Sequence, residues 1–275
     1  RTFSTFISQR AHRELGGNVS TFADILKKAR ETPGLIDLGQ GFPDFFGSEV
    51  ARLEASSVVD DDIMHNQYSA PVGILRLRSA VKRYLSKFHN LDYCDQTEIC
   101  ITTGATEAVF SSMQVLINPG DHVLFFEPFW PWYPACVRMA GGQPVVVRLD
   151  PSRGFRIDWD RLDEALERWR PRCLVVNSPH NPTGLVLSES DRAALARRCV
   201  EGDMLCVSDE VYQNCVFPGA PPHLPMASAP GMRHRTLTLG SAGKLFSLTG
   251  WRVGWAAGPV PLVSAVTVCR QHSSV

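Results

Sequence analysis

Lys244 closes the run Leu239-Gly240-Ser241-Ala242-Gly243-Lys244, directly after a stretch that reads as a β-strand. The small residues around it let a ligand or a second backbone approach closely. An ε-amine held in such a pocket can lose its proton and attack a carbonyl carbon, forming a Schiff base. Standing alone, the same lysine reads as a solvated loop residue. Three further stretches change that balance. Cys206-Val207-Ser208-Asp209-Glu210-Val211-Tyr212 ends a second strand on an acid and sets a tyrosine shortly after it. Asn177-Ser178-Pro179-His180-Asn181-Pro182-Thr183-Gly184 follows a third, and Thr102-Thr103-Gly104-Ala105-Thr106-Glu107 leads from a fourth into a helix.

These stretches suit one ligand chemistry, that of pyridoxal phosphate. Its ring works as an electron sink when an acid faces the ring nitrogen and keeps it protonated. Asp209 sits at the C-terminal end of a strand, where α/β sheets present their ligand contacts; in isolation it also reads as a helix N-cap. Asn181 can donate to the phenolic oxygen of the ring, although Asn-Pro and Thr-Gly are turn signals in their own right. Gly104, Ala105 and Thr106 leave backbone N–H groups and a helix dipole open to a phosphate. Ser241 and Arg252 add a hydroxyl and a guanidinium to the same phosphate. Trp130 can lay a flat face on the ring, or equally fill a groove or the core. Ser241-x-x-Lys244 also fits an acyl-transfer signature with Ser241 as nucleophile and Lys244 as base. Its companion motifs are missing: Ser208-Asp209 is followed by Glu, and no Lys-Thr-Gly occurs.

Positioning these residues requires an α/β framework. From residue 97 onward, apolar runs alternate with amphipathic stretches. Strands are expected at Glu98–Thr102, His122–Glu127, Pro144–Leu149, Cys173–Asn177, Met204–Ser208, Thr236–Leu239 and Val253–Ala257. Helices are expected at Ala105–Ile117, Asp158–Trp169 and Glu189–Val200, the last opened by a Ser188/Asp191 capping box. Pro221, Pro222 and Pro225 mark a long surface connection before the Thr236 strand. The first 50 residues differ, with a helix near Thr21–Ala29 and then Gly/Pro/Phe-rich chain through Leu38–Phe45. They read as an N-terminal arm or cover segment over a large domain spanning 51–275.

Composition narrows the class without naming it. The chain has 275 residues, 44% apolar and 20% charged, with 28 basic and 28 acidic side chains. That length supports a core without disulfides or metal, and the composition lies far from disorder. Zero net charge without basic clustering argues against a nucleic-acid partner. The longest like-charge run, Asp60-Asp61-Asp62, reads as a solvated loop or helix end. Eight cysteines form no C-x-x-C pair and accompany no zinc-spaced histidines, so they read as reduced core thiols of an intracellular protein. No apolar stretch has the length of a membrane helix. Arg1, Arg10 and Arg13, among Ser and Thr and without acids, faintly suggest the end of a mitochondrial or plastid transit segment. Cytoplasm or mitochondrion is the expected compartment.

Taken in order, the motifs resemble the class I, fold-type I pyridoxal-phosphate aminotransferases, and within them the kynurenine aminotransferase / cysteine-S-conjugate β-lyase group. The matching stretches are Leu38–Phe45, Asn66-Gln67-Tyr68, Gly104–Glu107, Asn177–Gly184, Asp209–Tyr212 and Ser241–Trp255. The resemblance implies a three-layer α/β/α large domain with a mostly parallel seven-stranded sheet. It implies that Lys244 binds the cofactor and moves the substrate α-proton, and that Asp209 pairs with the ring nitrogen. Asn181 and Tyr212 would bond the phenolate oxygen, with Asn177 supporting Asn181. Gly104, Ala105, Thr106, Ser241 and Arg252 would hold the phosphate, and Trp130 would stack on the ring. Tyr68 would reach the cofactor phosphate of a neighbouring subunit, which makes a homodimer part of the site. Gly41, Phe22 and Asn181 would lie toward the substrate. The implied reaction moves the amino group of a bulky aromatic or sulfur-containing L-amino acid (kynurenine-like, glutamine or methionine) to a 2-oxo acid. β-Elimination of cysteine conjugates is the related alternative.

Three positions depart from the group's pattern. His180 stands where Asn is usual, Arg252 replaces a Lys of some members, and Thr106 replaces a substrate-side tyrosine. The larger departure is at the end. Members continue well beyond the Gly-Trp-x-x-Gly-Trp stretch into most of a small domain, which carries the arginine that clamps the substrate carboxylate. Arg270 lies in no matching motif, so substrate binding is expected to be only half represented. A cofactor-binding chain without turnover is the third expectation.

Overall fold

The computed structural model describes Ser8 and residues 19–274, without the side chains of residues 19–23. Arg1, Arg10 and Arg13 lie outside the described residues. The described chain falls into two units, one ending at Phe46 and the other beginning at Gly47. The first contains helix α1 (Val19–Glu31), followed by exposed chain in which Ile36, Leu38 and Phe46 are each more than 80% solvent-accessible.

The second unit opens with α2 (Glu49–Asp61), whose first turn is capped by Ser48 Oγ accepting from Ala51 N at 3.3 Å. Asp60, Asp61 and Asp62 are exposed at the end of that helix, as expected of a solvated run. Helix α3 (Leu75–His89) stops at Asn90, which takes the left-handed conformation (φ 52°) that Asn tolerates. Strand β1 (Ile99–Thr103) then leads into α4 (Gly104–Leu116), and β2 (His122–Glu127) into α5 (Trp132–Met139). Next come β3 (Gln143–Arg148), α6 (Trp159–Trp169), β4 (Cys173–Asn177), α7 (Glu189–Glu201) and β5 (Leu205–Asp209). Strand β6 (Thr236–Ser241), the one-turn α8 (Ala242–Leu245), β7 (Val253–Ala257) and α9 (Val260–Gln271) complete the unit.

The seven strands form one sheet in the order β1-β7-β6-β5-β4-β2-β3. Only β7 runs against its neighbours, which bears out the mostly parallel seven-stranded expectation. Both faces of the sheet are covered, which is why its strands read as continuous apolar runs. Val123 and Phe125 pack with α4, α5 and α9 on one face, while Leu124 and Phe126 pack with α6 and α7 on the other. Ile99, Ile101 and Trp255 form a third cluster with Val81 and Leu85 of α3. The expected strands and helices all appear, with no end shifted by more than two residues. Strand β6 runs on to Ser241 because Gly240 and Ser241 still pair with Trp255 and Gly254. The Ser188 cap also differs in detail. Its Oγ accepts from Asp191 N at 3.0 Å, but the Asp191 carboxylate accepts a hydrogen bond from the Ser188 hydroxyl rather than from the backbone. Cys100, Cys136, Cys173, Cys199 and Cys206 are buried free thiols, whereas Cys94 and Cys215 are exposed. No helix among the described residues is long and apolar enough to cross a membrane.

Candidate active site

Sheet topology gathers the chemistry at one edge. Strands β1 to β6 all point the same way, so Thr103, Asn177, Asp209 and Ser241 end together. The opposed β7 begins where they finish: Ser241 pairs with Gly254, and Thr103 with Val253. Arg252, one residue before β7, is thereby delivered to the same edge as Lys244. Stretches separated by more than a hundred residues in sequence become neighbours through strand order alone.

Asp209 is at the centre, 6% exposed and register-paired with Asn177. The Asn177 amide donates to the Asp209 backbone carbonyl at 2.9 Å, and Asn177 Oδ1 accepts from Asn181 N at 2.7 Å. That second bond fixes the turn so that Asn181 Nδ2 reaches the Tyr212 hydroxyl at 3.4 Å. Asp209 Oδ1 accepts from Val211 N at 3.3 Å, so the residue does perform the turn-capping role its position allows. Oδ2 accepts from the Tyr133 hydroxyl at 2.5 Å. Burial raises the Asp209 carboxyl to about 6, with the Tyr133 and Val211 hydrogen bonds pulling the other way. A buried carboxylate poised in this way is a strong receptor for a positively charged ring nitrogen.

Lys244 follows in α8. Burial lowers the proton affinity of its amine; Cys215 opposes that shift and the Arg252 guanidinium reinforces it. Its Nζ lies 5.6 Å from the centre of the Tyr212 ring, which places the nucleophile, the phenol and the Asn181 amide around one spot. Tyr212 is shifted up, first by burial and then by the Asp209 charge.

The phosphate-side residues converge as well. Gly104 has φ +72°, a conformation suited to glycine, and a Cβ there would run into the Arg252 guanidinium. Arg252 Nη2 donates to Thr106 Oγ1 at 3.3 Å, while Nη1 is held by the Thr249 carbonyl at 3.0 Å. The Thr103 side chain makes no cap on α4, and Thr102 Oγ1 binds the Gly104 carbonyl instead. Ser241, 8% exposed, ends β6 at the same edge of the sheet. A phosphate-bearing pyridoxal fits this donor set. The chain offers an amine for its aldehyde, a buried carboxylate for its ring nitrogen, and amide and phenol groups for its phenolate. A glycine-opened helix start with a guanidinium alongside suits its phosphate.

Trp130 is partly buried and stacks on Trp132 (5.0 Å, 19°) while meeting Tyr133 edge-on at 5.4 Å. It therefore reaches Asp209 through Tyr133. Tyr68 is 95% exposed in the loop before α3 rather than packed among these residues. Gly41 lies in exposed chain of the first unit. Phe22 falls within α1, but its side chain is outside the described residues. His180 binds Thr183 Oγ1 through Nδ1 at 2.7 Å, and burial lowers it to about 4, so it is a neutral turn-holder at pH 7.

Sequence reasoning missed two residues. Tyr133 belongs to no motif, although an apolar run carrying one tyrosine toward a site acid could have flagged it. His223 is the other: its Nε2 lies 3.0 Å from Glu210 Oε2, with both side chains almost fully buried. Burial pushes the Glu210 carboxyl up. His223, together with hydrogen bonds from Ser208 and Met226 N, outweighs this and holds it below its usual range. Asp209 and Glu210 are thus adjacent acids with separate partners, one on Tyr133 and the other on the connection to β6. Among the described residues, no group of three His, Cys, Asp or Glu could hold a metal.

Residues 33–275 match the family described as class I and II aminotransferases. A probable N-succinyldiaminopimelate aminotransferase of Mycobacterium tuberculosis is 42% identical over 242 residues, covering 88% of this chain and 60% of that protein. Kynurenine–oxoglutarate transaminase 1 of Rattus norvegicus is 39% identical over 249 residues, covering 87% of this chain and 58% of that protein. The solved N-succinyldiaminopimelate aminotransferase from Mycobacterium tuberculosis superposes with a TM-score of 0.90 at 38% identity, covering 98% of this chain and 68% of that one. The chain spans about 60% of the length of the curated relatives it matches.

Proposed function

Because the chain belongs to the class I and II aminotransferases, we propose that it binds pyridoxal phosphate and serves as the cofactor-holding part of a transaminase. The proposed reaction moves the amino group of a bulky aromatic or sulfur-containing L-amino acid to a 2-oxo acid. One observation carries this reading: Lys244, Tyr212, Asn181 and Asp209 converge at a single sheet edge, with Arg252 against the start of α4. When bound, the cofactor supplies an electron sink for the pair left on the substrate α-carbon. The chain's own groups do the rest. Asp209 fixes the charge at the ring nitrogen, and Tyr212 and Asn181 bind the phenolate oxygen. Ser241, Arg252 and the first N–H groups of α4 anchor the phosphate. Lys244, once its amine is free, carries the α-proton. Tyr68, exposed in the loop before α3, is assigned to the site of a second subunit in a homodimer.

Absorbance of the chain with added pyridoxal phosphate, before and after borohydride, tests the cofactor step. A visible band that borohydride abolishes and that Lys244→Ala lacks is the expected result; a colourless protein refutes it. Single-turnover loss of that band with kynurenine, methionine, glutamine or N-succinyldiaminopimelate, and its return with 2-oxoglutarate, then identifies the donor class. A chain that keeps its band with every donor binds the cofactor without turning over.

A further inference from the structure

We propose that Tyr133 is a positioning residue for the cofactor: its hydroxyl anchors one oxygen of Asp209 so that the carboxylate is presented as a fixed counter-charge to the ring nitrogen. This rests on the pyridoxal phosphate reading. The Tyr133 hydroxyl donates to Asp209 Oδ2 at 2.5 Å, with Tyr133 2% and Asp209 6% exposed. That length belongs to charge-assisted O–H···O⁻ bonds, which are about twice as strong as neutral ones.

The tyrosine itself is held rigidly. Its ring lies parallel to Phe125 (3° between planes) and edge-on to Trp130, so the hydroxyl cannot follow the carboxylate if it turns. Each Asp209 oxygen therefore carries one protein donor, Tyr133 on Oδ2 and Val211 N on Oδ1. The Glu210 charge disfavours ionisation of Asp209, and Asp209 in turn pushes the Tyr212 phenol up. Glu210 is engaged by His223, and Tyr212 by Asn181. Tyr133 is thus the one side-chain donor among the described residues that favours the ionised acid. The same ring that touches Trp130 orients Asp209, so the indole and the counter-charge are coupled through one side chain.

Tyr133→Phe keeps the ring packing and removes only the hydroxyl. The test measures dissociation constants of the full chain for pyridoxal phosphate and for 1-deazapyridoxal phosphate, in which carbon replaces the ring nitrogen. The hydroxyl's role predicts that Tyr133→Phe weakens pyridoxal phosphate about tenfold and the carbon analogue less than about twofold. Equal losses on both ligands make Tyr133 a merely structural residue and overturn the proposal, as does no loss on either. If wild type binds neither ligand, the cofactor reading itself fails and the proposal with it. A second measurement needs no variant. The Tyr133 hydroxyl proton in so short a bond should give a far-downfield exchangeable resonance that disappears as Asp209 takes up its proton. A spectrum without it also overturns the proposal.

Discussion

Arg270, in the last turn of α9, places its Nε 3.3 Å from Glu107 Oε2 in the first turn of α4, and both side chains are only 11% exposed. Glu107 also accepts the Thr103 N–H, and Arg270 Nη1 donates to the Pro71 carbonyl. One guanidinium therefore ties the end of α9, the loop that carries Tyr68, and the start of the helix assigned to the phosphate. Removing one partner of such a pair strands the other charge. Arg270→Ala is expected to cost about 3 kcal/mol in urea unfolding. Arg270→Lys should recover less than half, because a point charge cannot span both acceptors. A loss below about 1 kcal/mol would show that water screens the pair as it does at a surface.

Gly254 and Gly104 face each other where β7 meets α4, and substitution should separate their roles. A Cβ on Gly254 would stand 2.6 Å from Ala105 N and 2.9 Å from the Gly240 carbonyl, all backbone that cannot yield. A Cβ on Gly104 meets first the Arg252 guanidinium, a side-chain end that can swing away, but its φ of +72° is costly for alanine. Gly104→Ala is therefore expected to cost about 1–2 kcal/mol. Gly254→Ala should cost at least about 3 kcal/mol, at the upper end of overpacking effects. Thermal melts of the two variants decide the order; a milder Gly254→Ala would mean that β7 and α4 are not in close contact.

The pH dependence of the cofactor-free chain isolates Asp209. Its carboxyl stands at about 6 when folded, against 3.8 for the free side chain. The folded state therefore holds the proton more tightly, and this group's contribution to stability falls as pH rises from about 4 to 6. At 1.36 kcal/mol per unit, the effect is at most about 3 kcal/mol. Asp209→Asn removes it. The variant's stability relative to wild type should rise across that window and level off above pH 6, as read by urea midpoints without cofactor. A difference that stays flat with pH would place the acid in a more solvated setting.

The site's outline was legible because parallel strands deliver their C-terminal ends to one edge. Asn177, Asp209 and Ser241 each close an apolar run, and each run is a strand whose end can be read locally. Lys244 and Arg252 were legible for the same reason, one directly after β6 and the other directly before β7. Tyr133 was not, because its role exists only through Asp209, 76 positions away. Arg270 looked unmatched for a similar reason. Its partner lies 163 positions back, and no periodicity within α9 marks an arginine that will meet a carboxylate on α4. Local pattern sets which strands and helices form. Which side chains then meet depends on sheet order, and a single sequence states that only weakly.

The Glu210–His223 pair gives the sharpest contrast between burying charge and pairing it. Their side chains are 1% and 2% exposed, with 3.0 Å between Oε2 and Nε2, and Glu210 Oε1 also accepts from Ser208 Oγ at 2.7 Å and Met226 N at 3.1 Å. His223→Leu leaves a carboxylate in the interior without its strongest partner and is expected to cost about 3–5 kcal/mol. Glu210→Gln keeps acceptor oxygen for Ser208 and Met226, so the double variant should be more stable than His223→Leu alone by at least about 1.5 kcal/mol. Stability would then be recovered by neutralising the remaining carboxylate, the sign that tells an orphaned charge from a lost contact. Urea unfolding of the two single variants and the double variant measures the coupling. Strictly additive losses would mean that the connection to β6 is held by packing around Met226 rather than by the pair.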